Sequence, residues 1–348
     1  MATKRPKNIL FIWTDQQRPD TIGAFGNPHV DTPHLDRLLE QSVCFDQAYC
    51  SQPVCAPARG TALTGLYPHT HGVVTNGIPL DPAVPAIAEL LRPAGLVSGH
   101  IGMWHLAHGA EPLRPQRGFE RFWVSTEDQY TASHAAEGYS SYHDFLLSQG
   151  YTPSDPHGDG TIFARATTTR LPEEVTKPAF EAAEAIRFLE TYGDDPFLLV
   201  VGIHEPHPPC YSPFDDCYRP EDMTLPESWY LPLDPHAARH CHTVRRIYAE
   251  EGFKDIDSND ERGWKEAKAR YWGLCRLVDR SVGKVLQRLE DLGLADDTIV
   301  VYTADHGHLL GEHRMWNKGV PYEPSVQVPL MLRVPGLPPR RITTPVSL

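Results

Sequence analysis

Three apolar runs constrain this chain more than anything else in it: residues 8–14 (NILFIWT), 196–203 (PFLLVVGI) and 298–304 (TIVVYTA). None alternates polar with apolar, so none reads as a strand with one wet face. Continuous runs of this length are strands buried on both sides, the pattern of a parallel sheet covered by helices. They are too short to cross a membrane as helices. Each ends in chemistry: Asp15 after the first, His204-Glu205 after the second, Asp305-His306 after the third. Sheets of this kind place their sites at the carboxyl ends of the strands.

Helical patterns lie between the runs. Pro33 suits the first position of a helix capped by Thr32, with Leu35, Leu38 and Leu39 as its stripe. Residues 178–192 and 263–292 repeat apolar side chains at helical spacing, and Gly293 supports a stop after the second. The fold class expected is α/β, with a mostly parallel central sheet flanked by helices on both faces. Residues 1–348 are expected to form one catalytic domain. Loop-rich insertions are expected at about 109–176 and 212–262, where Gly, Pro, Ser, Tyr and His crowd together.

The formal net charge of −13 argues against a nucleic-acid surface but leaves room for a local cationic pocket. No leader pattern follows the basic start, so a cytoplasmic location and no membrane partner are expected. The seven cysteines form no zinc spacing and their number is odd. Most are expected to be reduced and buried. Cys210 and Cys217 share a proline-rich loop.

One cysteine is different. Cys55-Ala56-Pro57-Ala58-Arg59 precedes the small-residue segment Gly60-Thr61-Ala62. Proline suits a first helical turn, which places Cys55 at or just before a helix N-terminus. Free backbone N–H groups and the positive end of the dipole favour an anion there. Arg59, one turn on, adds a fixed cation on the same face. A thiol so placed is activated or marked for modification.

Cys55-Ala56-Pro57-Ala58-Arg59 resembles the Cys-x-Pro-x-Arg signature of the type I, formylglycine-dependent sulfatases, members of the alkaline phosphatase superfamily, and residues 49–71 around it read similarly. The resemblance implies an alkaline-phosphatase-like fold, with Cys55 oxidised to Cα-formylglycine by a maturation enzyme. It implies one divalent ion (Ca, Mn or Mg) held by Asp15, Gln16, residue 55, Asp305 and His306. Gln16 stands where most relatives carry a second aspartate, so the ligand set loses one negative charge. An imidazole in the set leans away from calcium.

The second family signature, a Gly-Lys pair followed closely by a histidine, is matched by Gly102-Met103-Trp104-His105-Leu106 only in part. His105 fits, and is implied to deprotonate or orient the nucleophile. Met103 stands where the lysine should be, and a thioether carries no charge. Relatives that hydrolyse phosphonate monoesters and phosphodiesters also lack this lysine, and the start of residues 218–223 resembles that branch. His207, in a Pro-His-Pro context, is implied to protonate the leaving oxygen, and Lys318 to contact both the transferred group and that oxygen. Asn76, in a Thr-Asn-Gly turn, is a candidate substrate contact and equally a plain turn residue. His69 and His71 have metal-like spacing but are expected to pack against the neighbouring loop. The partners implied are a small-molecule or saccharide sulfate ester and the maturation enzyme, with an oligomer allowed. Other readings kept open are phosphonate monoester or phosphodiester hydrolysis at the same site, and a non-catalytic sulfated-ligand binder or inactive fragment. The small C-terminal subdomain usual in the family is expected to be missing or truncated at Leu348.

Overall fold

The computed structural model describes residues 6–106, 117–119, 121–126, 141–151, 171–251 and 260–348. Much of the insertion expected at 109–176 therefore lies outside the described residues. Eight strands form the main sheet: β1 (Asn8–Thr14), β2 (Val43–Phe45), β3 (Val97–Gly102), β4 (Phe122–Ser125), β5 (Phe197–Ile203), β6 (Thr298–Ala304), β7 (Leu330–Arg333) and β8 (Arg340–Ile342). Their spatial order is β8-β2-β7-β6-β1-β5-β3-β4. The three apolar runs are neighbours at the centre, with β1 parallel to both β5 and β6. β7 alone runs against the others, antiparallel to β6 and to β2. Gln327–Val328, just before β7, turns away to pair with Ala48–Tyr49 in a small second sheet.

Every residue of β5 is buried, as a strand covered on both faces requires. One face packs against Leu35, Leu38 and the apolar stripe Val278-Val282-Val285-Leu289 of the long helix, together with Phe188 and Leu189. The other packs against Trp13, Leu63, Trp104 and Phe119. Four helices matter here: α1 (Pro33–Glu40), α2 (Cys55–Thr64), α3 (Lys177–Tyr192) and α4 (Glu261–Asp291). Within the expected insertion at 212–262, Arg239–Glu251 is helical. Among the described residues no helix is long and apolar enough to cross a membrane.

The cap of α1 corrects the sequence reading. The Thr32 hydroxyl makes no capping bond to its own helix. It accepts instead from Gly23 N (2.8 Å) and lies 3.2 Å from Asp36. The buried Asp279 carboxylate of α4 accepts from Leu35 N (2.7 Å) and His34 N (3.4 Å). A carboxylate from another element serves the orphan N–H groups and fixes the helix pair at once. None of the seven cysteines is in a disulfide; Cys210 is buried and Cys217 exposed. His71 is buried against Gly60 and Thr61 of helix α2 rather than a loop, and His69 is exposed and stacks on Tyr67.

Candidate active site

The site is assembled by Cys55, the first residue of α2. Its helix start is held by Asn76, whose side-chain oxygen accepts from Ala56 N at 3.0 Å. Asn76 itself is solvent-exposed, so it serves as a borrowed cap for the helix that carries Cys55. Cys55 is only 3% exposed. Its sulfur lies 3.8 Å from Asp15 Oδ1 and 3.4 Å from His306 Nε2.

Asp15, Cys55, Asp305 and His306 offer four ligand atoms within 4.8 Å of one another, all buried. Asp15 sits at the end of β1 and Asp305-His306 at the end of β6, which are hydrogen-bonded neighbours. Parallel pairing in register is what brings side chains 290 residues apart to one point. His306 Nδ1 lies 2.9 Å from the Gly307 carbonyl. A carbonyl only accepts, so Nδ1 carries the proton and the Nε2 lone pair is turned toward Cys55 and the two carboxylates. A metal-binding imidazole is oriented in this way. The donors are therefore of the right kind and disposition for a divalent ion.

Arg59 closes the cluster from below and is fully buried. Its Nη2 donates to Asp15 (3.0 Å), its Nε to Asp305 (3.0 Å) and its Nη1 to the Met103 carbonyl (2.6 Å). One guanidinium thus ties together the ends of β1 and β6 and the turn after β3, using the planar fork that lysine lacks. Burial by itself pushes the Asp15 carboxyl up, but Lys318, His207, Arg59 and His306 outweigh it and hold the carboxyl well below the usual range. Asp305 goes the other way: burial and the charge of Asp15 push it up to about 7. Two carboxylates this close are short of positive charge even with Arg59 between them.

Lys318 and Gln16 form the opposite wall. Lys318 Nζ donates to Gln16 Oε1 at 2.6 Å, lies 3.7 Å from Asp15 and hydrogen-bonds the Cys55 thiol. Burial pulls its ammonium down, yet Cys55, Asp15 and Asp305 together raise it. The Gln16 amide nitrogen reaches Asn317 Oδ1 (2.8 Å) and His308 Nδ1 (2.5 Å), so its oxygen is turned to Lys318. Gln16 has a left-handed φ of 69°, and its carbonyl accepts from Tyr271 OH at 2.6 Å. Asn317, His308 and Tyr271 were not picked out from the sequence. Their signal was faint: an ordinary turn, one more histidine, and a tyrosine on an amphipathic stripe.

His207 is close enough to bias the charge of Asp15. Its Nδ1 lies 2.7 Å from the Pro208 carbonyl, which fixes that nitrogen as the donor, and its ring lies 4.9 Å from that of His204. His105 follows β3 with a left-handed φ of 58° and is half-buried. Met103 is 4% exposed, and it is its backbone carbonyl, not its side chain, that braces Arg59.

This fold, with an oxygen-rich cluster and two cations around a buried cysteine at a helix start, is that of the alkaline-phosphatase-like hydrolases of charged esters. The sulfatase family model matches residues 7–348, and the chain belongs to that family. It is 30% identical to the multifunctional alkaline phosphatase superfamily protein PehA of Trinickia caryophylli, over 95% of this chain and 68% of that protein. It is also 30% identical to the choline-sulfatase of Rhizobium meliloti, over 100% of this chain and 66% of that one. The phosphonate monoester hydrolase SpPMH of Silicibacter pomeroyi shares 27% identity and superposes with a TM-score of 0.79, over 98% of this chain and 71% of its own. The chain spans 56% to 69% of the curated relatives it matches.

Proposed function

We propose that this chain hydrolyses a sulfate monoester to an alcohol and inorganic sulfate, using a formylglycine made from Cys55. The observation that carries the reading is the buried set Asp15, Cys55, Asp305 and His306, with Arg59 and Lys318 against it. Asp15, Asp305, His306 and residue 55 would hold a divalent ion, and Mg or Mn suits two carboxylates with an imidazole better than Ca does. When bound, that ion supplies positive charge to the transferred group. Oxidation of Cys55 supplies an aldehyde hydrate: one hydroxyl attacks sulfur, and the other lets sulfate be expelled.

The chain's own residues do the rest. Arg59 holds both carboxylates in place and keeps Asp15 ionised. Lys318, positively charged and fixed by Gln16, faces the oxygens of the transferred group. His207 holds its Nδ1 proton on Pro208, so a proton delivered to the leaving oxygen comes from Nε2 of the imidazolium. His105 stands at the turn braced by Arg59 and takes a proton from the second hydroxyl. Gln16 anchors Lys318 in this reading, in addition to any part in ion binding. Asn76 sets the pitch of the helix on which residue 55 rides.

A second reading has its own support. Met103 puts a neutral side chain where the sulfatase signature has lysine, and SpPMH is named for phosphonate monoester hydrolysis. A phosphonate monoester has two non-bridging oxygens to be held where a sulfate monoester has three, so one cation fewer suits it. The test is a panel of aryl sulfate, phosphate and phenyl phosphonate esters on protein co-expressed with a maturation enzyme. Sulfate turnover at least tenfold above the others, with Cys55 lighter by about 18 Da, supports the first reading. Faster phosphonate turnover transfers the assignment to the second. Full activity with an unmodified Cys55 removes the formylglycine from both.

A further inference from the structure

The helix Arg239–Glu251 carries its charges against its own dipole. Residues 239–247 hold three arginines, two histidines and no carboxylate, in a chain of net charge −13. The glutamates, Glu250 and Glu251, come at the other end. Cations at a helix start and acids at its finish are both unfavourable, so this order does not serve the helix's own stability. Arg239, His240, His242 and Arg246 are exposed and Arg245 is half-buried. Among the described residues none of the three arginines has a carboxylate partner. Several exposed arginines elsewhere do: Arg37 meets Glu290, Arg187 meets Glu184, Arg219 meets Asp222 and Arg280 meets Glu173. One face is left basic on an acidic molecule.

The same helix is built against the segment that carries Lys318. Its inward side chains Cys241 and Val244 pack with Leu309, Met315 and Val320. Leu309–Leu310 and Trp316–Asn317 pair antiparallel, and Lys318 follows directly. His240 Nε2 lies 2.6 Å from the carbonyl of Gly319, the next residue, and donates to it, since a carbonyl only accepts. The basic face thus starts beside the cation that faces the transferred group. At 1.5 Å per residue, Arg246 lies about 9 Å further along the helix axis than His240. Cations spread over that reach suit further negative charges on the molecule whose ester is cleaved. A molecule with several sulfate esters is one built on several hydroxyls, which a saccharide chain supplies.

We infer that this face extends the substrate site, and that the substrate is a polysulfated saccharide chain whose further sulfates meet Arg239, Arg245 and Arg246. The inference rests on the proposed ester hydrolysis, so binding and turnover are measured separately. Fully sulfated maltotetraose, with unsulfated maltotetraose as its neutral counterpart, is titrated calorimetrically into the full chain with Cys55 unmodified. Turnover of 4-nitrophenyl sulfate is followed on the matured chain, with and without the same oligosaccharide. The sulfated sugar is expected to bind and the unsulfated one not. Arg239→Gln, Arg245→Gln and Arg246→Gln together should weaken binding about tenfold, the sum of three exposed ion pairs. The double change that spares half-buried Arg245 should weaken it severalfold and serves if the triple one does not fold. Removing the same charge elsewhere, with Arg187→Gln, Arg219→Gln and Arg262→Gln, should alter it less than about twofold. The sulfated sugar should inhibit the small ester's turnover, and less so in the helix variant, whose turnover without the sugar is unchanged. Equal weakening by the two triple changes overturns the inference, as does saturating sugar that leaves turnover of the small ester untouched. Binding to phosphatidylglycerol vesicles in preference to the sulfated sugar gives the face to a membrane and overturns it too. Arginine-dependent binding by a matured chain that turns over no ester sinks the proposed hydrolysis and leaves the polyanion face standing. Ester turnover without arginine-dependent binding sinks this inference alone.

Discussion

At the scale of single residues, Arg59 is the side chain most committed to the site. Three of its donors are spent on Asp15, Asp305 and the Met103 carbonyl, and none of it is exposed. Arg59→Ala leaves two buried carboxylates without their cation. Breaking such a set from one side costs about 3–5 kcal/mol, so the variant should melt far below the parent and turn over no ester, read by calorimetry and by the ester panel. Arg59→Lys should rescue little, since one ammonium cannot serve three acceptors in a plane. A second buried group acts on pH dependence. His100 is stacked 4.5 Å from Trp123 and boxed by Trp104 and Phe119, and neither ring nitrogen has a hydrogen-bond partner. Burial, aided by Arg59, pushes its imidazole down to about 3. The unfolded chain takes up that proton from about pH 6.5 downward and the folded one does not. Stability therefore falls as pH drops through that window, by up to about 1.4 kcal/mol per unit. His100→Phe should flatten the fall in a urea-denaturation series between pH 6.5 and 4.

At the scale of elements, helices α1 and α4 are joined by the Asp279 cap. Burial, against those backbone donors, pushes Asp279 up to about 7. The sign opposes that of His100: the folded state keeps a proton the unfolded chain releases above about pH 4, so this stability is lost as pH rises from 4 to 7. The two slopes overlap and partly cancel in the parent. Asp279→Asn should therefore leave a steeper rise of stability with pH than the parent shows, the contribution of Asp305, of the same sign as that of Asp279, remaining in both. The same helix pair shows where sequence reading stops. The apolar stripes of α1 and α4 and their approximate ends were legible, because periodicity is local. The cap was not, because Asp279 is 247 residues from Thr32 and local propensity had already named a plausible candidate. Gly283 carries a related long-range demand, since a Cβ there would come 2.4 Å from the His34 ring. Gly283→Ala should cost about 1–3 kcal/mol by overpacking, measured as a shift in denaturation midpoint at constant slope.

At the scale of the whole molecule, the central sheet was readable from three apolar runs, and the site from the residues that end them. Asp15, Asp305, His306, Cys55, Arg59 and Lys318 meet as their motifs implied, because parallel neighbours deliver their carboxyl ends to one rim. Less was readable about what supports that rim. The reversal of β7 is not written in its own residues, and Asn317 and His308 lie in segments of ordinary composition whose roles depend on Gln16, some 300 residues away in sequence. Asn76 was a candidate for touching substrate and in the structure caps α2. Charge balance over the site gives one more expectation. Burial and the neighbouring charge of Asp15 push the carboxyl of Asp305 up, so a divalent ion should stabilise the fold as well as serve chemistry. Chelation should lower the melting temperature by several degrees, and magnesium or manganese should restore it. A melting curve indifferent to chelator would count against the ion.

The 3% exposure of Cys55 also sets an order of events in the life of the chain. Residue 55 is enclosed by groups from positions 15, 305, 306 and 318, so its enclosure waits until the chain is made and paired at least as far as residue 318. Another enzyme reaches that thiol only while the chain is open, since global opening of a finished domain is rare. If residue 55 is converted as proposed, conversion competes with folding, and the window closes when β6 docks beside β1. Protein folded first and offered the maturation enzyme afterwards should remain a thiol, whereas the same chain met during synthesis should be converted. Fast folding, normally an advantage, would then lower the yield of active enzyme.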